Sequence, residues 1–453
     1  MASYQERLLN VIPGGAHTYS RGYDQYPSNA PQILTKGFGS YVFDDFNNKF
    51  LDYGMGLRSI ILGYANDEVN KAAISQINFG NNLTRPSMIE LEAAELFVSL
   101  FDSVDMVKFT KNGSSAVSAA VKLARAFTGK KLIARCAEQP FFSYDDWFIG
   151  STPVSKGIPQ ETINCTKLFS YNNIQSLIDL LDKYPNQFAC LVMEPASTEC
   201  PTINGSFSEC CGEENCTKAY RAHNKNYLQE VQEICNKHGI VFILDEMITG
   251  FRWHMKGAQY FYNVKPDLTT FGKAMANGFS LGCVAGKKEI MQLGSIEQKG
   301  QERVFLLSTT HGSEMSSLGA FVATMDFMNR HDVIQHIWTY GKKLMDIFRN
   351  LAEKHEISKS FQIKGIPCSP WFVTLDSSGK NSLELRTLFM QEMIKNKILM
   401  PWIALSYSHT EKELALTAQA IDSSFRIYSK ALHEGVEKYL VGDPVKPVFR
   451  KYN

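Results

Sequence analysis

Four short runs in this chain deliver groups that can do chemistry. FACLVME ends at Glu194, IVFILDE ends at Asp245 and Glu246, and LTTFGK ends at Lys273. An apolar run that stops on a charged side chain is the pattern of a buried parallel strand, and ligands of open α/β sheets lie beyond the carboxyl ends of such strands. A carboxylate there can hold an N–H donor. A lysine there becomes a nucleophile and a base once burial lets it shed its proton. The fourth run, MVKFTKNGSSAV, sets Gly113 and Ser114 at a helix start, where unpaired N–H groups and the helix dipole favour an anion.

The elements that must position these groups are legible around them. From about residue 85 to 320, amphipathic stretches alternate with short apolar runs, which predicts an α/β fold with a parallel sheet wound with helices. SSAVSAAVKLARAF reads as a helix with serines at its N-cap and with Val117, Val121, Leu123, Ala124 and Phe127 on one face. YLQEVQEICNKHG reads as a helix ending at Gly239. Glu246 points to the opposite face of its strand from Asp245, and a structural ion pair is its expected use. Beyond about residue 325 the helices lengthen, around Asp332 to His355, Leu383 to Lys397 and Glu411 to Glu437. The expected organisation is an N-terminal segment over 1–64, a large domain over 65–325 and a small C-terminal domain over 326–453.

Composition narrows the function classes. The 453 residues carry 47 Lys plus Arg against 46 Asp plus Glu, a formal charge of +1, so no single-sign field exists to hold nucleic acid. At 44% hydrophobic and 21% charged, the composition is that of a folded globular protein. The opening MASYQERLLNVIPGG has no apolar run of signal-peptide length, and no stretch approaches the roughly 20 residues of a spanning helix. A cytoplasmic location without membrane partners is expected.

MVKFTKNGSSAV, LDEMITGFR and TTFGKAMANGFSLG, in this order and with Lys273 28 positions after Asp245, resemble the class III pyridoxal-phosphate-dependent aminotransferases over most of the chain. IPGGAHTYSRG and LDEMITGFR are most similar to the branch that contains glutamate-1-semialdehyde 2,1-aminomutase. The resemblance implies a fold type I transferase: a large domain with a mostly parallel sheet flanked by helices, and a smaller α+β domain from the two termini. It implies pyridoxal 5′-phosphate, joined to Lys273 as a Schiff base, with Asp245 facing the pyridine nitrogen and Gly113 and Ser114 receiving the phosphate. Phe141 stands where the family stacks an aromatic ring on the cofactor, in a run reading Phe-Phe-Ser in place of the family's Tyr-His-Gly; stacking needs only a π face. Ser115 departs from the acidic residue often found after the phosphate turn. Thr310 stands where a threonine of the neighbouring subunit reaches the phosphate, which implies a homodimer with shared active sites. Arg21 stands where the aminomutase branch grips a substrate carboxylate, a task suited to its planar fork.

The function this implies is transfer of an amino group between an amino donor and a keto or aldehyde acceptor through a pyridoxamine form. The alternatives are an intramolecular aminomutase, a racemase reprotonating the same carbanion on its other face, and a non-catalytic binding protein on the same fold. Trp253, His254, the tract Ser406 to Thr410 and Glu194 are further residues near the expected pocket. Of the ten cysteines, Cys200, Cys210, Cys211 and Cys216 cluster with His223 in an insertion over about 198–224. That cluster lacks the paired C-x-x-C spacing of a zinc site, so an irregular polar insertion without metal is expected.

Overall fold

In the computed structural model, which describes residues 2–196, 199–203, 225–312 and 314–453, the chain forms two compact units. One comprises 67–334, and the other combines the two ends of the chain, 1–66 and 335–453.

The apolar runs of the central unit become β1 (Met106–Thr110), β2 (Leu132–Cys136), β3 (Thr166–Phe169), β4 (Phe188–Met193), β5 (Val241–Asp245), β6 (Leu268–Phe271) and β7 (Gly282–Gly286). They form one sheet in the order β1-β7-β6-β5-β4-β2-β3. The ladders from β3 across to β6 are parallel, and only β7 runs antiparallel to its neighbours β6 and β1. All residues of β4 and β5 are buried, as parallel strands covered by helices on both faces must be.

Helix α1 (Gly113–Thr128) lies against β1 and β4 to β7 and buries Ala116, Val117, Ala120, Val121, Leu123 and Ala124. Two details differ from expectation. Asn112, with extended backbone, is the N-cap, its Oδ1 accepting from Ser115 N–H at 2.9 Å, while both serines lie inside the helix. Phe127 is 45% exposed. Helix α2 (Tyr227–His238) ends as predicted at Gly239, which adopts φ 58°.

In the terminal unit, Leu34–Phe38, Tyr41–Asp44 and Lys49–Asp52 form an antiparallel sheet extended by Ile398–Leu399, which pairs in parallel with Leu51 and Asp52. Helices Leu383–Lys395 and Glu411–Glu434 and the hairpin Phe361–Ile366 with Ser369–Thr374 complete it. Its core stacks the Phe361 ring between Phe348 and Phe372, with centroids 5.5 and 5.6 Å away. Both chain ends thus enter one α+β core.

Candidate active site

Strand register brings the charged ends together. Asp245 closes β5 directly beside Thr270 of β6. Its Oδ1 accepts from the Thr270 hydroxyl at 2.9 Å and from Met247 N–H at 3.0 Å, whereas Oδ2 takes no hydrogen bond from the described residues. The side chain is buried, and burial pushes its carboxyl up to about 6 while the charge of Lys273 pulls it back. Lys273 follows β6 by two residues and holds φ 44°, a left-handed backbone that costs a lysine on the order of 1 kcal/mol. Strain of this kind collects where surrounding structure dictates a side chain's direction.

A residue not singled out from sequence joins the pieces. A methyl group added at Gly113 would lie 2.7 Å from the Met247 sulfur, and one added at Gly272 would lie equally close to it. Met247 therefore touches both the opening of α1 and the turn that carries Lys273. Its signal in the sequence is position alone, two residues after Asp245, because a methionine after an apolar strand reads as core.

The first turn of α1 leaves backbone N–H groups without intrahelical acceptors, so Gly113 and Ser114 form an anion-favouring end. The Ser114 hydroxyl accepts from Tyr144 N–H at 3.2 Å, and the Ser143 hydroxyl lies 3.1 Å from that of Ser118. The run 141–145 is thereby stitched to α1. Within it both phenylalanines pack edge-on to Phe148, and they differ in exposure: Phe142 is 2% exposed and Phe141 45%. Only Phe141 has a ring available to a ligand. Thr310 is exposed in a turn, its carbonyl accepting from Asn82 Nδ2 at 3.0 Å, and the neighbouring Thr309 hydroxyl lies against Gly312. Lys111 and Glu314 form an ion pair within the same unit.

Glu246 differs from the ion pair expected of it. Its carboxylate accepts from Ala258 and Gln259 N–H at 2.9 and 2.7 Å and from the Thr249 hydroxyl at 2.5 Å, capping the short helix Gly257–Phe261. A methyl at Gly257, which holds φ 72°, would stand 2.7 Å from Glu246 Oε1. Burial pushes the Glu246 carboxyl up to about 7. Glu194, just past β4, is buried, and its backbone exchanges two 2.8 Å bonds with the Gln139 amide. Trp253 is a core residue donating from Nε1 to the Tyr262 hydroxyl at 3.0 Å, and His254 stacks on Tyr260.

Arg21 and the tract Ser406 to Thr410 belong to the terminal unit. There His409 is buried, with Nδ1 accepting from Ser406 N–H at 3.1 Å, and Thr410 caps the helix that follows. Arg21 lines a cavity of about 830 Å³ together with Tyr26, Asp52, Leu57, Tyr64 and Trp402. Its guanidinium makes no hydrogen bond or ion pair with the described residues. Cys210, Cys211, Cys216 and His223 lie outside the described residues. Among those described, no group of His, Cys, Asp and Glu could hold a metal ion.

The donor set fits pyridoxal phosphate. An aimed and buried carboxylate with one open oxygen suits a ring N–H, a helix opening suits a phosphate dianion, and the lysine beside them suits a carbonyl.

Comparison with known proteins agrees. The sequence profile described as aminotransferase class-III matches residues 22–170 and 218–382. The chain is 30% identical over 436 residues to glutamate-1-semialdehyde 2,1-aminomutase of Archaeoglobus fulgidus, covering 92% of this chain and 97% of that one. It is 28% identical over 431 residues to 3-aminobutyryl-CoA aminotransferase of Cloacimonas acidaminovorans, covering 94% and 97%. In structure it is similar to an omega-transaminase from Sphaerobacter thermophilus, with TM-score 0.78, 22% identity and 94% and 97% of the two chains covered. With a mostly parallel sheet and a strand-end lysine and carboxylate like these, the chain belongs to the class III aminotransferases and is a pyridoxal-phosphate-dependent enzyme of that family.

Proposed function

We propose that the protein is a homodimeric, cytoplasmic aminotransferase moving an amino group between an amino donor and a keto or aldehyde acceptor. The observation that carries this reading is the open Oδ2 of Asp245, buried at the end of β5 within the electrostatic reach of Lys273. Bound, the cofactor carries the amino group and withdraws electrons from the substrate's Cα. Asp245 keeps a proton on the ring nitrogen by opposing its charge. Lys273 Nζ takes the proton from Cα and returns it on the other side of the transfer, as base and then acid. The N–H groups of Gly113 and Ser114 would hold the phosphate, and the exposed Phe141 would offer its ring to the cofactor. Arg21, a cation without an acidic partner among the described residues, receives a substrate carboxylate.

The homodimer reading is supported by exposed apolar side chains around α1's own unit: Phe79, Leu83, Met88 and Leu91 are 52 to 69% exposed, and Phe305 is 67% exposed. The Asn82 bond ties the Thr310 turn to that surface, which suits a threonine offered to a neighbouring subunit's phosphate site. Free thiols at Cys136, Cys190, Cys235, Cys283 and Cys368 suit a reducing compartment. No helix among the described residues is long and apolar enough to cross a membrane.

Intramolecular amino transfer is the second reading, favoured by the aminomutase relative. Single amino donors, added one at a time to the yellow holoenzyme, separate the two. Loss of the visible absorbance with release of the donor's keto acid supports transamination. Isomerisation of glutamate 1-semialdehyde with no donor active alone supports the aminomutase. A wild-type protein that takes up no pyridoxal phosphate, or a Lys273→Ala variant that keeps the wild-type absorbance and activity, sinks both.

A further inference from the structure

The cavity that holds Arg21 is finished by the far end of the chain. After helix Glu411–Glu434 the chain runs on for 435–453, beyond the 382 at which the family profile stops matching. This tail is tied to two places in the terminal unit. On one side, Gln391 Nε2 donates to the Tyr439 carbonyl at 2.9 Å, Val441 N–H donates to Gln391 Oε1 at 2.8 Å, and Val445 N–H donates to the Thr387 hydroxyl at 2.9 Å. These bonds anchor it to helix Leu383–Lys395. On the other side, Lys446 N–H donates to the Asp24 carbonyl at 2.9 Å, and Gln25 Nε2 donates to the Lys446 carbonyl at 2.9 Å. The Ser28 hydroxyl donates to the Val441 carbonyl, and Arg450 Nη2 donates to Asp24 Oδ2 at 2.6 Å.

The segment so held is the one that carries Arg21. It consists of two short turns, Tyr19–Arg21 and Tyr23–Gln25, with no strand ladder of its own. Such a segment depends on external bonds for a fixed position. The tail supplies them, and Asp443 and Lys446 of the tail lie on the cavity wall with Arg21 and Asp24.

The Asp24–Arg450 pair has an electrostatic consequence as well. Asp24 lines the same cavity three residues after Arg21, and its side chain is 18% exposed. Its Oδ2 pairs with Arg450, which offsets its charge, while Oδ1 accepts from Gln25 Nε2 at 3.1 Å. Unpaired, it is a carboxylate on the same cavity wall as Arg21, whereas Asp52 of that wall is committed to Gly54, Met55 and Tyr64.

We propose that the C-terminal tail, through Arg450 and Asp24, is a specificity element that keeps Arg21 open to a substrate carboxylate. This rests on the reading of Arg21 given above. Arg450 is a positioning residue, since it acts through Asp24. The tail's work is to set the affinity for carboxylate-bearing substrates and leave the proton transfers at Lys273 unaffected.

The test measures the donor-dependent loss of holoenzyme absorbance, as KM and maximal rate, with glutamate and with 1-phenylethylamine, a primary amine lacking a carboxylate. Arg450→Met is expected to raise KM for glutamate about tenfold, the loss of one charge-assisted contact, with the maximal rate within about twofold and KM for the amine unchanged. Arg450→Lys is expected to recover most of the glutamate KM, and so is Asp24→Asn combined with Arg450→Met, because the competing carboxylate is then gone. Equal increases for both donors, or a double variant no better than Arg450→Met, overturn the proposal by reducing the tail to a structural brace. If Arg450→Met does not fold, Arg450→Gln is read in the same way. Arg21→Met separates the two levels. A raised glutamate KM for Arg21→Met with none for Arg450→Met sinks the tail's role alone, whereas no change for Arg21→Met sinks the carboxylate reading and the tail's role with it.

Discussion

Asp245 and Asp52 are the same residue in nearly the same local setting, one in each unit. Each ends a strand and is buried, and burial raises the carboxyl of each. They differ in what their oxygens do. Asp52 commits both: Oδ1 accepts from Gly54 N–H at 2.7 Å, and Oδ2 accepts from Met55 N–H at 3.0 Å and the Tyr64 hydroxyl at 2.6 Å. These bonds hold the turn Met55–Arg58, whose four residues all have positive φ. Asp245 commits only Oδ1 and faces the charge of Lys273. A buried carboxylate with both oxygens in use is a bracket for the backbone, and one with an oxygen to spare is free to hold a ligand.

Asparagine at each position tests that distinction. Asp245→Asn keeps the Oδ1 acceptor and removes the charge, so the transfer rate is expected to fall by on the order of 10²-fold or more while the protein stays folded. Rates close to wild type would make Asp245 a second bracket. The apoprotein offers a sharper measure through pH. The Asp245 carboxyl is raised from 3.8 to about 6, so the stability it contributes is present below about 4 and is lost as pH rises through 6. Apo Asp245→Asn is therefore expected to match apo wild type near pH 4 and to exceed it at pH 8, by up to about 3 kcal/mol, in urea unfolding. A wild type that gains on the variant as pH rises reverses the sign and refutes the burial argument. Asp52→Asn is expected to have the smallest effect on chemistry. One amide NH₂ must face the donors that Oδ1 or Oδ2 served, costing about 1–3 kcal/mol in thermal unfolding, with the cofactor absorbance unchanged. An altered absorbance would make Asp52 part of the chemistry.

Much of the site was legible because strand ends announce themselves. IVFILDE and LTTFGK are apolar runs stopped by charge, and a parallel sheet has no other way to place such residues than at its ligand-facing edge. Glu246 was misread because alternation along a strand gives the face of a side chain and says nothing of its partner. Its partners, Ala258 and Gln259, come from a helix that begins eleven residues later. The N-cap of α1 was misplaced by two residues because asparagine and serine compete for that role, and only the extended backbone at Asn112 decides between them. Phe141 and Phe142 are chemically identical, and their difference in burial is a property of what packs around them.

The sequence by itself determined the class of sheet, the strand ends that carry Asp245 and Lys273, and the helix opening at Gly113, since each follows from local periodicity or from a residue's intrinsic chemistry. Only the tertiary structure decided which oxygen of Asp245 stays open, that Met247 touches both Gly113 and Gly272, and that Arg450 meets Asp24 across 426 positions of sequence. Those facts are relations between distant residues, and they come into being only when burial of the apolar surface brings separate segments to van der Waals distance.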